Sequence, residues 1–260
     1  MITALLILFL LGLTIGFFAG LFGIGGGAIM VPALTAFFLW QGFPESQVVH
    51  MALATSLSVI LFNSLMSVAT HSKHHAVLGS LLWHLTPAVI IGSAFASWLA
   101  LQITGQTVAL IFLLLMLLIA VQMVVDYKPK LKNQRPLTAA LLWPAGLIIG
   151  LFSALIAIGG GSLTVPFLTW HRISIQKAIG TAAALGFFIA LSATLTYLLL
   201  AKHAGEESYI YWPATGIIVA AALLSTHMGA LMTHRLPTER LRIGFALLIA
   251  LLAIRMYLSL

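Results

Sequence analysis

The sequence predicts an all-α, polytopic membrane protein built from two inverted repeats of five helical segments each. Three features of the chain carry this prediction: its composition, an internal duplication and the distribution of its basic residues. Of the 260 residues, 62% are hydrophobic and only 7% are charged, against about 25% charged in an ordinary soluble domain. Because so few charges cannot cover a water-exposed surface, we expect the long apolar runs to lie in a bilayer.

The duplication is strongest around a run of glycines. Gly12 to Pro32 reads GLTIGFFAGLFGIGGGAIMVP, Gly146 to Pro166 reads GLIIGLFSALIAIGGGSLTVP, and 12 of these 21 positions are identical. A second pair of segments keeps the same order, since ALATS at 52–56 matches AIGTA at 178–182. The sequence therefore predicts a first transmembrane repeat over residues 1–126, a linker over 127–136 and a second repeat over 137–260.

Each repeat contains five apolar segments that we expect to be helices. In the first repeat they are Thr3–Phe22, Ala28–Trp40, Gln47–Thr70, Ser80–Leu101 and Thr107–Val125. In the second repeat they are Leu137–Ile158, Ser162–Trp170, Ile175–Ala201, Tyr209–Thr233 and Glu239–Leu258. The second segment of each repeat is too short to span comfortably and follows three glycines. We predict that it is a half-helix that returns from the membrane interior and pairs with the segment before it.

The basic residues indicate the orientation of the chain. With the first two segments of each repeat as a hairpin, each repeat crosses the membrane an odd number of times, so the repeats are inverted. Ten of the twelve lysines and arginines then fall on one side, and an excess of this kind marks the cytoplasmic face. These ten residues are Lys73, Lys128, Lys130, Lys132, Arg135, Arg172, Lys177, Arg235, Arg240 and Arg242. We therefore predict a cytoplasmic linker and two outer termini.

The duplicated glycine runs are the leading candidate for a binding site. They are Gly25, Gly26 and Gly27 in the first repeat and Gly159, Gly160 and Gly161 in the second. Each run precedes a short helix, so unpaired amide groups and the positive end of a helix dipole are expected inside the membrane, where they attract an anion. The alternative is that these glycines only allow helices to cross closely.

The motifs F-G-I-G-G-G-A-I-M-V-P, A-L-A-T-S and M-G-A-L-M-T-H-R-L-P-T-E-R-L-R resemble those of the TauE/SafE sulfite-exporter family. The resemblance covers the full length of the chain. It implies a bacterial inner-membrane, multi-pass carrier for sulfite, sulfonates or related small anions, without fixing the substrate. Ala182 stands where the first repeat has a serine, and Ala154 and Ala157 stand where it has Gly20 and Gly23. We therefore expect two half-sites that are not equivalent.

Polar side chains in the third segment of each repeat are further candidates for anion contact. Thr55, Ser56 and Asn63 lie in the first repeat and Thr181 lies in the second. Hydroxyl and amide donors suit an oxyanion that has lost part of its water. The alternative is hydrogen bonding between helices, which is the usual role of these residue types in membranes.

The apolar segments contain few ionisable side chains, which limits how a substrate or a proton could be bound there. The five acidic residues all lie in loops or at helix ends, so a buried carboxylate pair for proton relay or sodium binding is not expected. Two histidines within apolar segments, His227 and His84, are candidates for proton coupling, with packing as the alternative. We expect no metal site and no cofactor, since the chain has no cysteine and the histidine cluster at 71–75 has no acidic neighbour.

These patterns favour transport over other functions. The main hypothesis is an alternating-access carrier for a small sulfur-containing anion, and the alternative is an anion channel that uses the same glycine loops. An intramembrane enzyme is not expected, because H-E-x-x-H, paired aspartates and G-x-S-G are all absent from the sequence. The expected partners are the anion and membrane lipid, not nucleic acid, because the basic residues lie in short loops between apolar runs.

Overall fold

The fold is helical throughout the part of the chain that the computed structural model describes, which is residues 2–22, 26–73, 76–125, 137–203, 208–233 and 238–260. These ranges hold ten α-helices and no β-strand, which confirms the all-α prediction. The helices are α1 (Ile2–Phe22), α2 (Gly27–Trp40), α3 (Glu45–Lys73), α4 (Gly79–Gln102), α5 (Gly105–Val125), α6 (Ala139–Leu155), α7 (Gly161–Trp170), α8 (Ile175–His203), α9 (Trp212–Thr233) and α10 (Thr238–Leu258). The predicted linker at 127–136 lies outside the described residues, so the division into repeats stays a prediction.

Helix lengths agree with the predicted arrangement of long and short segments. Among the described residues, α1, α3, α4, α5 and α8 are long and apolar enough to cross a membrane. The helices that follow the glycine runs are shorter, with 14 residues in α2 and 10 in α7. At 1.5 Å per residue a ten-residue helix covers about half of a 30 Å hydrocarbon core. The predicted short second helix of each repeat is therefore present.

The helices of the two repeats pair crosswise. The first helix of each repeat packs on the fourth helix of the other, α1 on α9 and α6 on α4. The third helices, α3 and α8, pack on each other, and so do the fifth helices, α5 and α10. These four helix pairs join segments of the first half of the chain to matching segments of the second half. The sense in which each repeat crosses a membrane stays a prediction.

Small residues bring the crossed pairs together. On α1, Gly12 and Gly16 lie against the backbones of Ile218 and Ala222 of α9, and since both numbers rise together the two helices run parallel. A glycine every fourth residue allows helix backbones to approach closely. The matching glycines of α6 contact α4 in the same parallel sense, through Gly146, Gly150, Leu85 and Val89.

The centre of the molecule is formed by the two third helices. In α3, 61% of the apolar stretch Glu45–Ala69 is buried, whereas in α1 only 22% of the stretch Ile2–Ala19 is buried. The outward faces of the peripheral helices carry exposed leucines, among them Leu114, Leu118 and Leu251. This is the distribution that suits a bundle whose outer surface meets lipid and whose centre is formed by α3 and α8.

Candidate functional site

The two glycine runs break the chain in the same way. Gly26 and Gly160 are the residues immediately before α2 and α7, and both adopt a left-handed conformation, with φ of 71° and 75°. Glycine adopts this conformation without steric cost. No side chain caps either helix. The helical hydrogen bonds begin at these glycines: Met30 N–H donates to Gly26 O (3.1 Å), and Thr164 N–H donates to Gly160 O (2.9 Å). Gly25, the first glycine of the first run, lies outside the described residues.

The tertiary fold brings the two runs together. The Cα of Gly27 lies against the carbonyl oxygen of Ala157, which belongs to the loop before the second run. The side chain of Ile60, on α3, lies between the runs. Its Cδ1 is 3.2 Å from the position that a Cβ on Gly27 would take, and its Cγ2 is 3.2 Å from the corresponding position on Gly159. The two glycine runs therefore converge, and an isoleucine fills the space between them.

The second run also packs tightly against α8. The carbonyl oxygen of Gly159 lies against Gly186, and a Cβ on Gly160 would stand 2.8 Å from Cδ1 of Ile189. Gly161, the first residue of α7, is half-buried. These contacts show that the glycines serve close helix packing, and access of a ligand to their backbone stays a prediction.

One face of α3 places polar side chains beside the contact between the two glycine runs. Ser56, Ile60 and Asn63 are separated by four and three residues, so they lie on one helical face. Ser56 is fully buried. Within the described part of the chain, neither Ser56 Oγ nor Asn63 Oδ1 has a hydrogen-bond partner. Buried polar groups in proteins are normally paired, so this face is a place where water or a ligand would be accommodated.

The two predicted threonines already have partners. Thr55 Oγ1 accepts the backbone N–H of Tyr211 (3.0 Å), and Thr181 Oγ1 accepts the backbone N–H of Leu78 (3.0 Å). Tyr211 lies just before α9 and Leu78 just before α4, so each threonine holds the segment that leads into the fourth helix of the other repeat. Each hydroxyl keeps its own proton to donate. Anion contact by these threonines stays a prediction, beside a structural role that the sequence did not indicate.

The second repeat contributes further hydroxyl groups that sequence reasoning missed. Three side chains of α6 and α7 are without a hydrogen-bond partner among the described residues, namely Ser153, Ser162 and Thr164. A comparison of the two repeats could have revealed these hydroxyl groups, because the matching positions of the first repeat are apolar, namely Ala19, Ala28 and Met30. The unpartnered Ser56, Ser162 and Thr164 therefore have apolar counterparts, namely Ala182, Ala28 and Met30, which agrees with the expectation of unequal half-sites.

The two histidines predicted for proton coupling lie on exposed faces. His227 is exposed on α9, and His84 is exposed on α4, where its Nδ1 lies 2.7 Å from the carbonyl oxygen of Ser80. Their role in coupling stays a prediction. A third histidine, His50, is 6% exposed and was not singled out in the sequence. In the described ranges no three histidine, aspartate or glutamate side chains lie close enough together to hold a metal ion.

Comparison with known proteins assigns the family. The model of the family described as sulfite exporter TauE/SafE matches residues 8–256. The chain belongs to this family. A probable membrane transporter protein of Haemophilus influenzae is 33% identical over the whole of both chains. A probable membrane transporter protein of Methanocaldococcus jannaschii is 24% identical over 97% of this chain and 95% of its own. No solved structure matches the chain.

Membership in the TauE/SafE family places the chain among multi-pass membrane transporters rather than enzymes. The glycine runs and the polar face of α3 meet at the centre of the molecule, on the most buried helix of those long enough to span a membrane.

Proposed function

We propose that the chain is a secondary transporter that moves a small sulfur-containing anion across the bacterial inner membrane by alternating access. Sulfite, a sulfonate or a related organic anion is the expected substrate. The observation that supports this most strongly is the convergence of two uncapped helix N-termini on the face of α3 that carries Ser56 and Asn63. The description of the family as a sulfite exporter supports the choice of anion.

The chemistry of the site suits reversible binding. Amide N–H groups at a helix N-terminus and the positive end of its dipole stabilise an anion. The segments α2 and α7 contain no charged side chain, and α3 contains none between Glu45 and Lys73. An anion would therefore be held by neutral donors without a salt bridge. We expect this to give the moderate affinity that release on the opposite side requires.

Tight packing at the centre favours a carrier over a channel. Ile60 is 2% exposed and lies between the glycine runs, and Gly27 is in contact with the backbone of Ala157. An open anion pore would require the contact between Gly27 and Ala157 to be broken. A carrier needs it to rearrange once per cycle, which agrees with slow, saturable flux. Large single-channel currents from the purified protein would favour the channel instead.

Removal of the Ser56 hydroxyl tests the site directly. A hydrogen bond to a charged ligand contributes about 1.5–3 kcal/mol, so Ser56→Ala should weaken anion binding roughly tenfold to a hundredfold. Binding and counterflow would be measured in proteoliposomes with sulfite, thiosulfate, sulfonates and carboxylates. The matched control is Ser97→Ala, since Ser97 on α4 is also buried and unpartnered within the described residues. Equal effects of the two substitutions, or none from Ser56→Ala, would place the anion elsewhere.

The proposed topology has a separate test. With the linker in the cytoplasm and both termini outside, Ser259→Cys should react with an impermeant maleimide in intact cells and Asn133→Cys should not. The parent chain has no cysteine, so labelling has no background. After the cells are permeabilised, Asn133→Cys should react as well. Labelling of Asn133→Cys in intact cells would reverse the proposed orientation.

A further inference from the structure

His50 is a buried imidazole in the first third of α3. Its Nε2 lies 2.9 Å from the carbonyl oxygen of Ala100, near the end of α4. Because a carbonyl oxygen only accepts hydrogen bonds, Nε2 must carry the hydrogen, and Nδ1 is then the nitrogen that takes up a second proton. The bond to Ala100 survives protonation. A change of charge on His50 would therefore leave the link between α3 and α4 intact.

The ring of His50 faces the segment that leads into α9. Its centroid lies 5.7 Å from that of the Tyr209 ring, and Tyr209 lies 6.3 Å from the ring of Tyr197, which is buried on α8. Two residues after Tyr209, the N–H of Tyr211 is bonded to Thr55 of α3. Residues 209–211, which we call the outer segment, are thus held against α3 at two points.

At the equivalent segment of the other repeat, residues 76–78, the described residues show no such titratable contact. There Leu78 N–H is bonded to Thr181, and the carbonyl oxygen of Ala76 lies against Gly180 of α8. Within the described residues, the hydrogen bond to threonine is present at both places, whereas the contact with an imidazole and aromatic rings is present at residues 209–211 alone. In the proposed topology this is the outer end of the bundle.

Among the described side chains, the ionisable group that a ring contact places beside His50 is the phenol of Tyr209. Tyr209 faces His50 from the outer segment, and Tyr197 of α8 packs in turn on Tyr209. Glu45, on the same helix as His50, is exposed. The helix α5, which contacts this end of α3 through Gly105, contains no ionisable side chain, and the part of α4 around Ala100 contains none either. Imidazole is the side chain whose ordinary titration falls between pH 5 and 8.

We propose that His50 is a proton-binding site of the transporter and that its protonation holds the outer segment closed against α3. An imidazolium is attracted to the face of an aromatic ring within about 6 Å, so the protonated form favours the contact with Tyr209. Loss of the proton weakens the contact and allows the outer segment to leave α3. Binding of a proton to His50 is thereby coupled to the side of the membrane on which the substrate site opens. This inference rests on the proposed carrier function.

The first test compares two kinds of sulfite flux in proteoliposomes. For His50→Gln, which keeps an N–H donor, stimulation of flux by a pH gradient should disappear, whereas counterflow at equal pH should stay within about twofold of the parent. The control is His171→Gln, since His171 also bonds a carbonyl oxygen and packs on a ring, that of Phe167, but at the end of α7. Retention of the stimulation in His50→Gln, its loss only in His84→Gln or His227→Gln, or its absence from the parent would each overturn the proposal.

The second test does not depend on the substrate. Ile210 lies in the outer segment and is 4% exposed, so Ile210→Cys reports its opening through reaction with a maleimide. Rates would be normalised to those of Ser259→Cys at the same pH, which corrects for the pH dependence of the thiol. We expect labelling at pH 6 to be at least about threefold slower than at pH 8, and this difference to vanish with His50→Gln. Equal normalised rates in the parent would overturn the proposal, whereas a protein that shows this difference but transports no anion would contradict only the proposed function.

Discussion

Replacement of Gly27 by alanine should nearly abolish transport. A Cβ at this position would overlap the carbonyl oxygen of Ala157, and a backbone atom cannot move aside as the end of a flexible side chain can. Overpacking of a tight interior contact typically costs about 1–3 kcal/mol, so we expect anion flux to fall by roughly tenfold to a hundredfold or more. The measurement is counterflow in proteoliposomes at matched protein content, after size-exclusion chromatography has confirmed a folded protein.

Alanine substitutions at two other glycines are expected to have smaller effects than Gly27→Ala. At Gly159 a Cβ would meet only the side chain of Ile60, at 3.2 Å, and at Gly216 of α9 it would meet nothing within 4 Å. We therefore expect flux to fall in the order Gly27→Ala, Gly159→Ala, Gly216→Ala, with the last close to the parent. Shortening Ile60 to alanine, which removes its Cγ2, should restore flux to Gly159→Ala but not to Gly27→Ala, where the overlap is with backbone. If Gly27→Ala transports as well as Gly216→Ala, the contact between the glycine runs is not part of the transport path.

The second large effect is expected from Thr55→Val. Valine preserves the shape of threonine but cannot accept the N–H of Tyr211, which would then be left without its partner. An unsatisfied group of this kind costs about 1–3 kcal/mol. We expect the midpoint of thermal unfolding to fall and Ile210→Cys to be labelled several-fold faster. Thr181→Val should destabilise the segment at Leu78 in the same way, without the change at Ile210.

The Thr55→Ser variant distinguishes the hydrogen bond between Thr55 and Tyr211 from contact of Thr55 with the anion. Serine retains the hydroxyl, so it should restore both thermal stability and slow labelling. If Thr55 also donates to the anion, Thr55→Val will in addition weaken sulfite binding, and Thr55→Ser will restore that as well. A loss of stability of equal size in the serine and valine variants would show that the methyl group, rather than the hydrogen bond, is what α3 requires.

The sequence alone determined the features that depend on local chemistry. The scarcity of charge requires a membrane, because a soluble surface cannot be covered without it. The glycine runs predicted where helices break, since the left-handed conformation at Gly26 and Gly160 is one that glycine adopts freely. The duplication predicted two short helices after those breaks, and both are present as α2 and α7. Each of these inferences needs only neighbouring residues or a comparison of the chain with itself.

Only the tertiary structure decided which faces of the helices meet. The partner of Thr55 is 156 residues away in the sequence, Ile60 proved to lie between the two glycine runs, and His50 proved to be buried while His227 is exposed. In a soluble protein an apolar stripe would indicate the inward face of a helix. Here the outward face meets lipid and is as apolar as the core, so helices associate through close packing and hydrogen bonds rather than through a hydrophobic stripe. The composition of a helix such as α3 therefore does not indicate which of its polar residues face the site.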